Sequence, residues 1–150
     1  MKNHDPILVE LTKILGERVV EKEPLARFTT LKIGGPADYF YEAKTTEEFM
    51  CAVKEAQRVR VPLFVLGGGT NILIGDRGFR GFVVKNSSQK ITIKGVKGSI
   101  GSGTTTQTVF VEVDAGVPMN KLVRFTVEEG LGGLEMHLGL PGTVGGAIYM

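Results

Sequence analysis

Residues 64–74, Phe64-Val65-Leu66-Gly67-Gly68-Gly69-Thr70-Asn71-Ile72-Leu73-Ile74, place three glycines, a hydroxyl and an amide directly after an apolar run. That order of residues suits an anion. Glycine accepts positive φ and lets the backbone come close to a ligand, so consecutive N–H groups can converge on phosphate oxygens while Thr70 and Asn71 add side-chain hydrogen bonds. Leu140-Pro141-Gly142-Thr143-Val144-Gly145-Gly146-Ala147 repeats the device at the other end of the chain. One glycine triplet is often no more than a tight turn. Two such runs with matching hydroxyls point to a nucleotide cofactor, and Ala115-Gly116, just ahead of a further predicted helix, is a third place where backbone can approach it.

Other chemistries lack their residues. His4 and His137 are the only histidines and Cys51 the only cysteine, so no cluster has metal-ligand spacing and no internal disulfide can form. His137 reads as a partly buried structural residue, and Cys51 as packing on a helix. Ser87, Ser88, Ser99 and Ser102 have no nucleophile-elbow context. Gly67 to Asn71 lacks the lysine of a Walker loop, and Asn71-Ile72-Leu73 continues as strand-like sequence rather than as the helix of a dinucleotide fingerprint. A further glycine-rich run, Gly101-Ser102-Gly103-Thr104-Thr105-Thr106, leads into a strand rather than a helix N-terminus and reads as flexible linker. What is left is a cofactor held by backbone donors from several loops, with no local residue for the chemistry. A flavin dinucleotide fits, because its ring supplies the redox chemistry and the protein only positions and tunes it.

The elements that must position these loops are legible from periodicity. Ile7, Leu8, Leu11, Ile14 and Leu15 predict a helix from Pro6 to Leu15, ended by Gly16. Asp38–Glu42 reads as a strand, Thr45 with Glu48 as a capping box opening a helix to about Arg60, and Pro62–Leu66 as the strand it feeds. Gly81–Lys85 is a further strand. Lys90–Lys94 pairs with Thr108–Val113 as a hairpin whose tip, Gly95–Gln107, is expected to be long and mobile. Pro118 opens a helix with Leu122, Val123, Thr126 and Val127 inward and Gly130 at its end, and Thr143–Met150 starts another. The chain stops within that last helix, so the expectation is that the domain continues past Met150.

With 150 residues and 42% hydrophobic content, one domain of two lobes, roughly 1–80 and 81–150, has enough apolar surface for a core. A net charge of +2, from 18 basic and 16 acidic interspersed residues, argues against a nucleic-acid partner. No run has signal-peptide or membrane-spanning character, and the lone cysteine suits a reducing compartment, so a cytoplasmic location is expected.

Four segments carry a family resemblance: Thr29-Thr30-Leu31-Lys32-Ile33-Gly34-Gly35-Pro36-Ala37-Asp38, Leu66–Leu73, Gly130-Leu131-Gly132-Gly133-Leu134-Glu135 and Leu138–Ala147. In order and spacing the chain resembles the UDP-N-acetylenolpyruvoylglucosamine reductase family. The resemblance implies an α+β FAD-binding fold of the vanillyl-alcohol oxidase-like type, two lobes with FAD between them. It also implies NADPH-dependent reduction of a UDP-sugar enolpyruvyl ether in peptidoglycan synthesis, which serves cell wall biogenesis, cell shape and cell division.

Carried onto this sequence, the resemblance has Gly67, Gly68, Gly69, Thr70 and Asn71 wrap the FAD pyrophosphate. Ile33, Gly34, Gly35, Ala115 and Gly116 would approach the cofactor, and Pro141, Gly142, Thr143, Gly145, Gly146 and Ala147 would hold its ribityl and flavin portion. No histidine lies between Gly67 and Asn71, so FAD is expected to be non-covalent. The family's catalytic arginine, glutamate and serine, and most of its UDP-sugar site, would lie beyond Met150. No catalytic residue is therefore assigned here, and this chain alone is expected to be inactive. Two other readings stay open at this point: a free-standing flavin-binding module, and another FAD oxidase of the same superfamily.

Overall fold

The structure is a computed structural model that describes residues 5–101 and 104–150. Helix α1, Pro6–Leu15, opens with Pro6 in its first turn, where the missing N–H is harmless, and with the Asp5 carboxylate accepting from Ile7 N at 2.9 Å. It closes at Gly16, whose φ of +75° a side chain would resist. Leu11 and Leu15 face inward, but Ile14, expected on the same face, is 55% exposed because it lies at the margin of the stripe.

Strands β1 (Val20–Glu21), β2 (Ala37–Ala43), β3 (Leu63–Leu66) and β4 (Phe79–Asn86) form one sheet in the order β1-β2-β4-β3. β1 runs antiparallel to β2, and β4 is parallel to both β2 and β3. Between β2 and β3 the chain crosses over through α2, Thr46–Arg58. Thr45 caps α2 by accepting from Glu48 N at 3.2 Å, while the Glu48 carboxylate reaches back to Lys44 N at 2.8 Å. β3 and β4 are adjacent and parallel, so their connection must also cross over. Residues 67–78 do this without a helix.

The sheet is buried on both faces. On one side Tyr39, Tyr41, Phe82 and Val84 pack with Leu11 and Leu15 of α1 and Ala52 and Ala56 of α2, and Cys51 lies at the margin of this cluster. On the other, Phe40, Leu66 and Val83 meet Leu25 and Ile74, with Phe28 stacked on Phe40 at 4.5 Å. β4 is one of the two inner strands, so this layer extends to Asn86.

Beyond it, β5 (Ile91–Gly101) and β6 (Thr104–Val113) form a two-stranded antiparallel ribbon. The predicted mobile tip is corrected here. Pairing continues from Ile91↔Val113 to Gly101↔Thr104, with an irregularity between Ile93 and Gly95. The β-branched run Thr104–Thr106 favours extended backbone, and Gly95 accommodates the shift in register. Ser102 and Gly103, part of the expected linker, lie outside the described residues.

Helix α3, Met119–Glu128, has Pro118 at its N-cap and buries Leu122, Val123 and Thr126, with Met119 and Leu122 clustered with Val117 and Val144. Val127, expected inside, is 58% exposed, because Thr126 takes the inward position and donates its hydroxyl to Val123 O. α4, Val144–Tyr149, follows its N-cap Thr143. No helix among the described residues is long and apolar enough to cross a membrane.

Three carboxylates tie these elements together. The Tyr39 hydroxyl on Asp5, Lys85 on Glu42 and Arg18 on Glu48 each hold a carboxyl below its ordinary value. A group whose pKa is depressed in the folded state contributes stability above its unfolded value and loses that contribution as pH falls through the folded one. The urea midpoint is therefore expected to be lower at about pH 3 than at about pH 6, since ordinary carboxylates titrate near 4. Equal midpoints would show that these contacts do not form in solution.

Candidate functional site

Ligands of open sheets with parallel strands gather beyond the carboxyl ends of those strands. Here those ends are Leu66 on β3, Asn86 on β4 and Ala43 on β2, and the Gly67–Asn71 loop leaves directly from the first.

The loop is seated from below by Phe28 and Thr30, at the start of the Thr29–Asp38 motif and ahead of the Ile33–Gly35 positions chosen from it. Phe28 O lies where a Cβ on Gly69 would be, only 1.9 Å from that position, and Thr30 N donates to Gly69 O at 2.9 Å. Gly69 has φ of +63°, so both conformation and space demand glycine. Ile72 and Ile74 then turn inward while Asn71 and Leu73 are exposed. This alternation produced the strand-like pattern, yet the segment is irregular because no partner strand lies beside it.

The second glycine run meets the first. A methyl group on Gly68 would lie 3.1 Å from Gly142 Cα, one on Gly67 would lie 2.8 Å from Thr143 Oγ1, and Thr70 Oγ1 donates to Pro141 O at 3.5 Å. Thr143 is buried, with its hydroxyl accepting from Gly146 N at 3.3 Å. Ala115 joins from a third direction: its carbonyl accepts from Gly145 N at 2.9 Å, and a side chain on Gly145 would strike Ala115 Cβ at 2.8 Å. Gly116 is locked from beneath, where a methyl would lie 2.6 Å from Ser88 N, and Gln89 Nε2 donates to its carbonyl at 3.0 Å. Ala147 is exposed on the first turn of α4.

Ile33, Gly34 and Gly35 stand apart from the 141–147 run. Gly34 packs on Leu25, Ala26 and Ile74, and Gly35 on Asp76 O, while Thr29 Oγ1 holds Ile33 O at 2.8 Å. Among the described residues, Thr29 and Thr30 link them to Gly69, and Ile74 and Gly75 link them to the chain that follows the loop. Several glycines chosen for ligand approach thus also serve close packing of backbone on backbone, a role that sequence spacing cannot separate from binding.

The backbone donors of the first loop are free among the described residues, as are those of residues 72–77 that follow it. Among the described residues, the backbone N–H groups of Gly68, Gly69, Thr70 and Asn71 have no acceptor, and the Asn71 side chain reaches only Met150 Sδ, at 3.2 Å. At α4, by contrast, Val144 N and Gly145 N are taken by Val117 O and Ala115 O. A row of free donors around glycines is a cradle for an anion, and it fits a cofactor diphosphate. Two cavities among the described residues lie elsewhere: one of about 460 Å³ along α3 by Lys121 and Arg124, and one of about 240 Å³ under the crossover by Phe64, Ile72 and Phe79. His137 is half-buried on the turn Glu135–His137, its Nδ1 without a partner among the described residues. No three His, Cys, Asp or Glu side chains converge among those residues.

Comparison with known proteins agrees with this geometry. The model of a family described as an FAD binding domain matches residues 37–150. UDP-N-acetylenolpyruvoylglucosamine reductase of Rubrobacter xylanophilus is 43% identical over 128 residues, covering 85% of this chain and 39% of the relative. The Carboxydothermus hydrogenoformans enzyme of the same name is 41% identical over 140 residues, covering 93% and 42%. The crystal structure of the Thermus caldophilus reductase superposes with a TM-score of 0.62 at 33% identity, over 86% of this chain and 41% of that one. The chain thus spans about two fifths of the length of these relatives. With the family model covering most of its length and these relatives sharing one name, the chain belongs to the FAD-binding domain family and corresponds to the FAD-binding part of UDP-N-acetylenolpyruvoylglucosamine reductases.

Proposed function

We propose that this chain binds FAD non-covalently and, within a protein of the relatives' full length, serves the NADPH-dependent reduction of UDP-N-acetylenolpyruvoylglucosamine to UDP-N-acetylmuramate for peptidoglycan, in the cytoplasm. The fold is read as the vanillyl-alcohol oxidase-like type, with the cofactor between the four-stranded layer and the β5–β6, α3, α4 layer. The row of free N–H groups at Gly68–Asn71 carries the reading. When bound, the flavin supplies hydride acceptance and donation.

This chain's own residues bind and orient. Gly67–Asn71 cradle the diphosphate through backbone donors, with the Thr70 hydroxyl and Asn71 amide beside them. Pro141–Ala147 and Ala115-Gly116, pinned together by Gly145 N on Ala115 O, form the opposite wall for the ribityl and flavin portion. Ile33, Gly34 and Gly35 support the loop through Thr29 and Thr30 and border the cofactor. The proton donor for the reduced substrate, and the UDP-sugar contacts, are assigned to the remainder of the full-length protein.

Equilibrium titration with FAD, followed by quenching of flavin fluorescence, tests the reading. Saturable binding that ADP competes away is expected, and its absence would refute it. Asn71→Ala is expected to weaken FAD binding by about 1–3 kcal/mol, the loss of one hydrogen bond to a charged or buried partner. An unchanged Kd would remove Asn71 from the site.

A further inference from the structure

β4 is apolar at Phe82, Val83 and Val84 and then places a lysine, Lys85, at the carboxyl end of the central strand. Its backbone pairs with Glu42 on one side and Leu66 on the other. Directly paired residues share a face of the sheet and lie about 4.8 Å apart. Lys85 therefore stands beside the residue that precedes Gly67, on the face over which the glycine loop passes.

Phe28 links the two: its carbonyl seats Gly69, and its ring centroid lies 5.9 Å from Lys85 Nζ. The lysine side chain is only 22% exposed. Its Nζ donates to Glu42 Oε1 at 2.5 Å and to Ser87 Oγ at 2.5 Å, and Ser87 Oγ in turn donates to the same carboxylate oxygen at 2.6 Å.

The stability that this pair contributes does not by itself explain why charges stand here. A half-buried ion pair is commonly matched or exceeded in stability by apolar residues of similar volume, which the neighbouring positions of β4 already are. A ligand does account for it. The glycine loop carries no lysine of its own, unlike a Walker loop, yet a dinucleotide's diphosphate brings two negative charges to the end of this strand. A fixed charge in a partly dry wall acts on such a group more strongly than one in open solvent.

We propose that Lys85 supplies, from the central strand, the positive charge that the Gly67–Asn71 loop lacks, and that Glu42 sets how much of that charge a bound diphosphate experiences. The proposal rests on the FAD reading and assigns it an electrostatic partner. Ser87 holds both groups in place, so neither side chain needs to reorganise when the anion arrives.

The test is a pair of single-charge variants titrated with FAD and with ADP, which carries the diphosphate without the flavin. Lys85→Gln is expected to raise both dissociation constants about tenfold, and Glu42→Gln to lower both about threefold, at roughly 20 mM salt. Both differences should narrow at roughly 300 mM salt, where screening is stronger. A merely structural pair predicts the opposite for Glu42→Gln, since breaking it would weaken binding in both variants. Parallel weakening, or no change in either, would overturn the role of Lys85 while leaving FAD binding intact. Failure of the unsubstituted chain to bind FAD or ADP would overturn both readings. Should Lys85→Gln not fold, Glu42→Gln alone decides, because only the proposed charge balance predicts a gain.

Discussion

Gly69→Val is expected to destabilise the chain strongly, whereas Gly68→Val is expected to leave its stability nearly unchanged and abolish FAD binding. The two glycines are neighbours in one loop, but their surroundings differ. At Gly69 a Cβ would sit 1.9 Å from Phe28 O and 3.0 Å from Phe28 C, both backbone atoms that cannot swing away, and φ is +63°. A β-branched residue there meets both overpacking and a forbidden backbone region, each worth about 1–3 kcal/mol, so a loss of about 3 kcal/mol or more follows. Gly68 is exposed, and its nearest obstacle is Gly142 Cα at 3.1 Å. Valine fits there with a small shift but stands between the free N–H groups and an incoming phosphate. Urea denaturation separates the variants, and an FAD titration of Gly68→Val reads the site. Tight FAD binding by Gly68→Val would refute the loop as the diphosphate cradle.

Phe82→Ala is expected to cost about 3–5 kcal/mol, the usual penalty for emptying a large aromatic site in a core. Phe82 is fully buried on the central strand, facing α1 and α2. A small domain commands only about 5–15 kcal/mol in total, so a substantial unfolded fraction is expected in modest urea. The proposed cradle lies beyond the carboxyl end of β3 and makes no use of the helix-covered face, so the folded fraction should bind FAD with unchanged affinity. FAD at about a hundred times its Kd should then restore about 2.7 kcal/mol by mass action. Gly69→Val should show no such rescue, because its lesion is in the cradle itself. A loss below about 1 kcal/mol in Phe82→Ala would mean that the helix-covered face is not packed as described.

The sequence carried the regular elements well where one physical signal dominated. Apolar spacing from Ile7 to Leu15, stopped by Gly16, marked α1, and the capping box of Thr45 with Glu48 marked the start of α2. Where two forces compete, the pattern misled. Ile72 and Ile74 alternate with polar or exposed neighbours because they plug one core face from a crossover, not because they lie in a strand. Gly95–Gln107 looked like a mobile tip from composition, yet Gly95–Gly101 finds its extended partner in Thr104–Phe110.

The glycine loops were legible as a group, but the partition of their roles was not. Only Phe28 O, Asp76 O and Ser88 N, all backbone atoms distant in sequence, reveal which glycines are required by the fold. Lys85 had a visible signal, a charge ending an apolar strand, whose meaning depended on its register with Leu66.

The crossover from β3 to β4 has a consequence for motion. β3 is four residues long, lies at the sheet edge and is paired only with β4, so its amides belong to the part of the layer that opens most readily to solvent. The same backbone that would grip a diphosphate is the tether that closes this edge onto the central strand. A ligand held by residues 68–71 would therefore slow hydrogen exchange at Leu63–Leu66, residues it never touches, and occupancy of the cradle would be written into the protection of an edge strand.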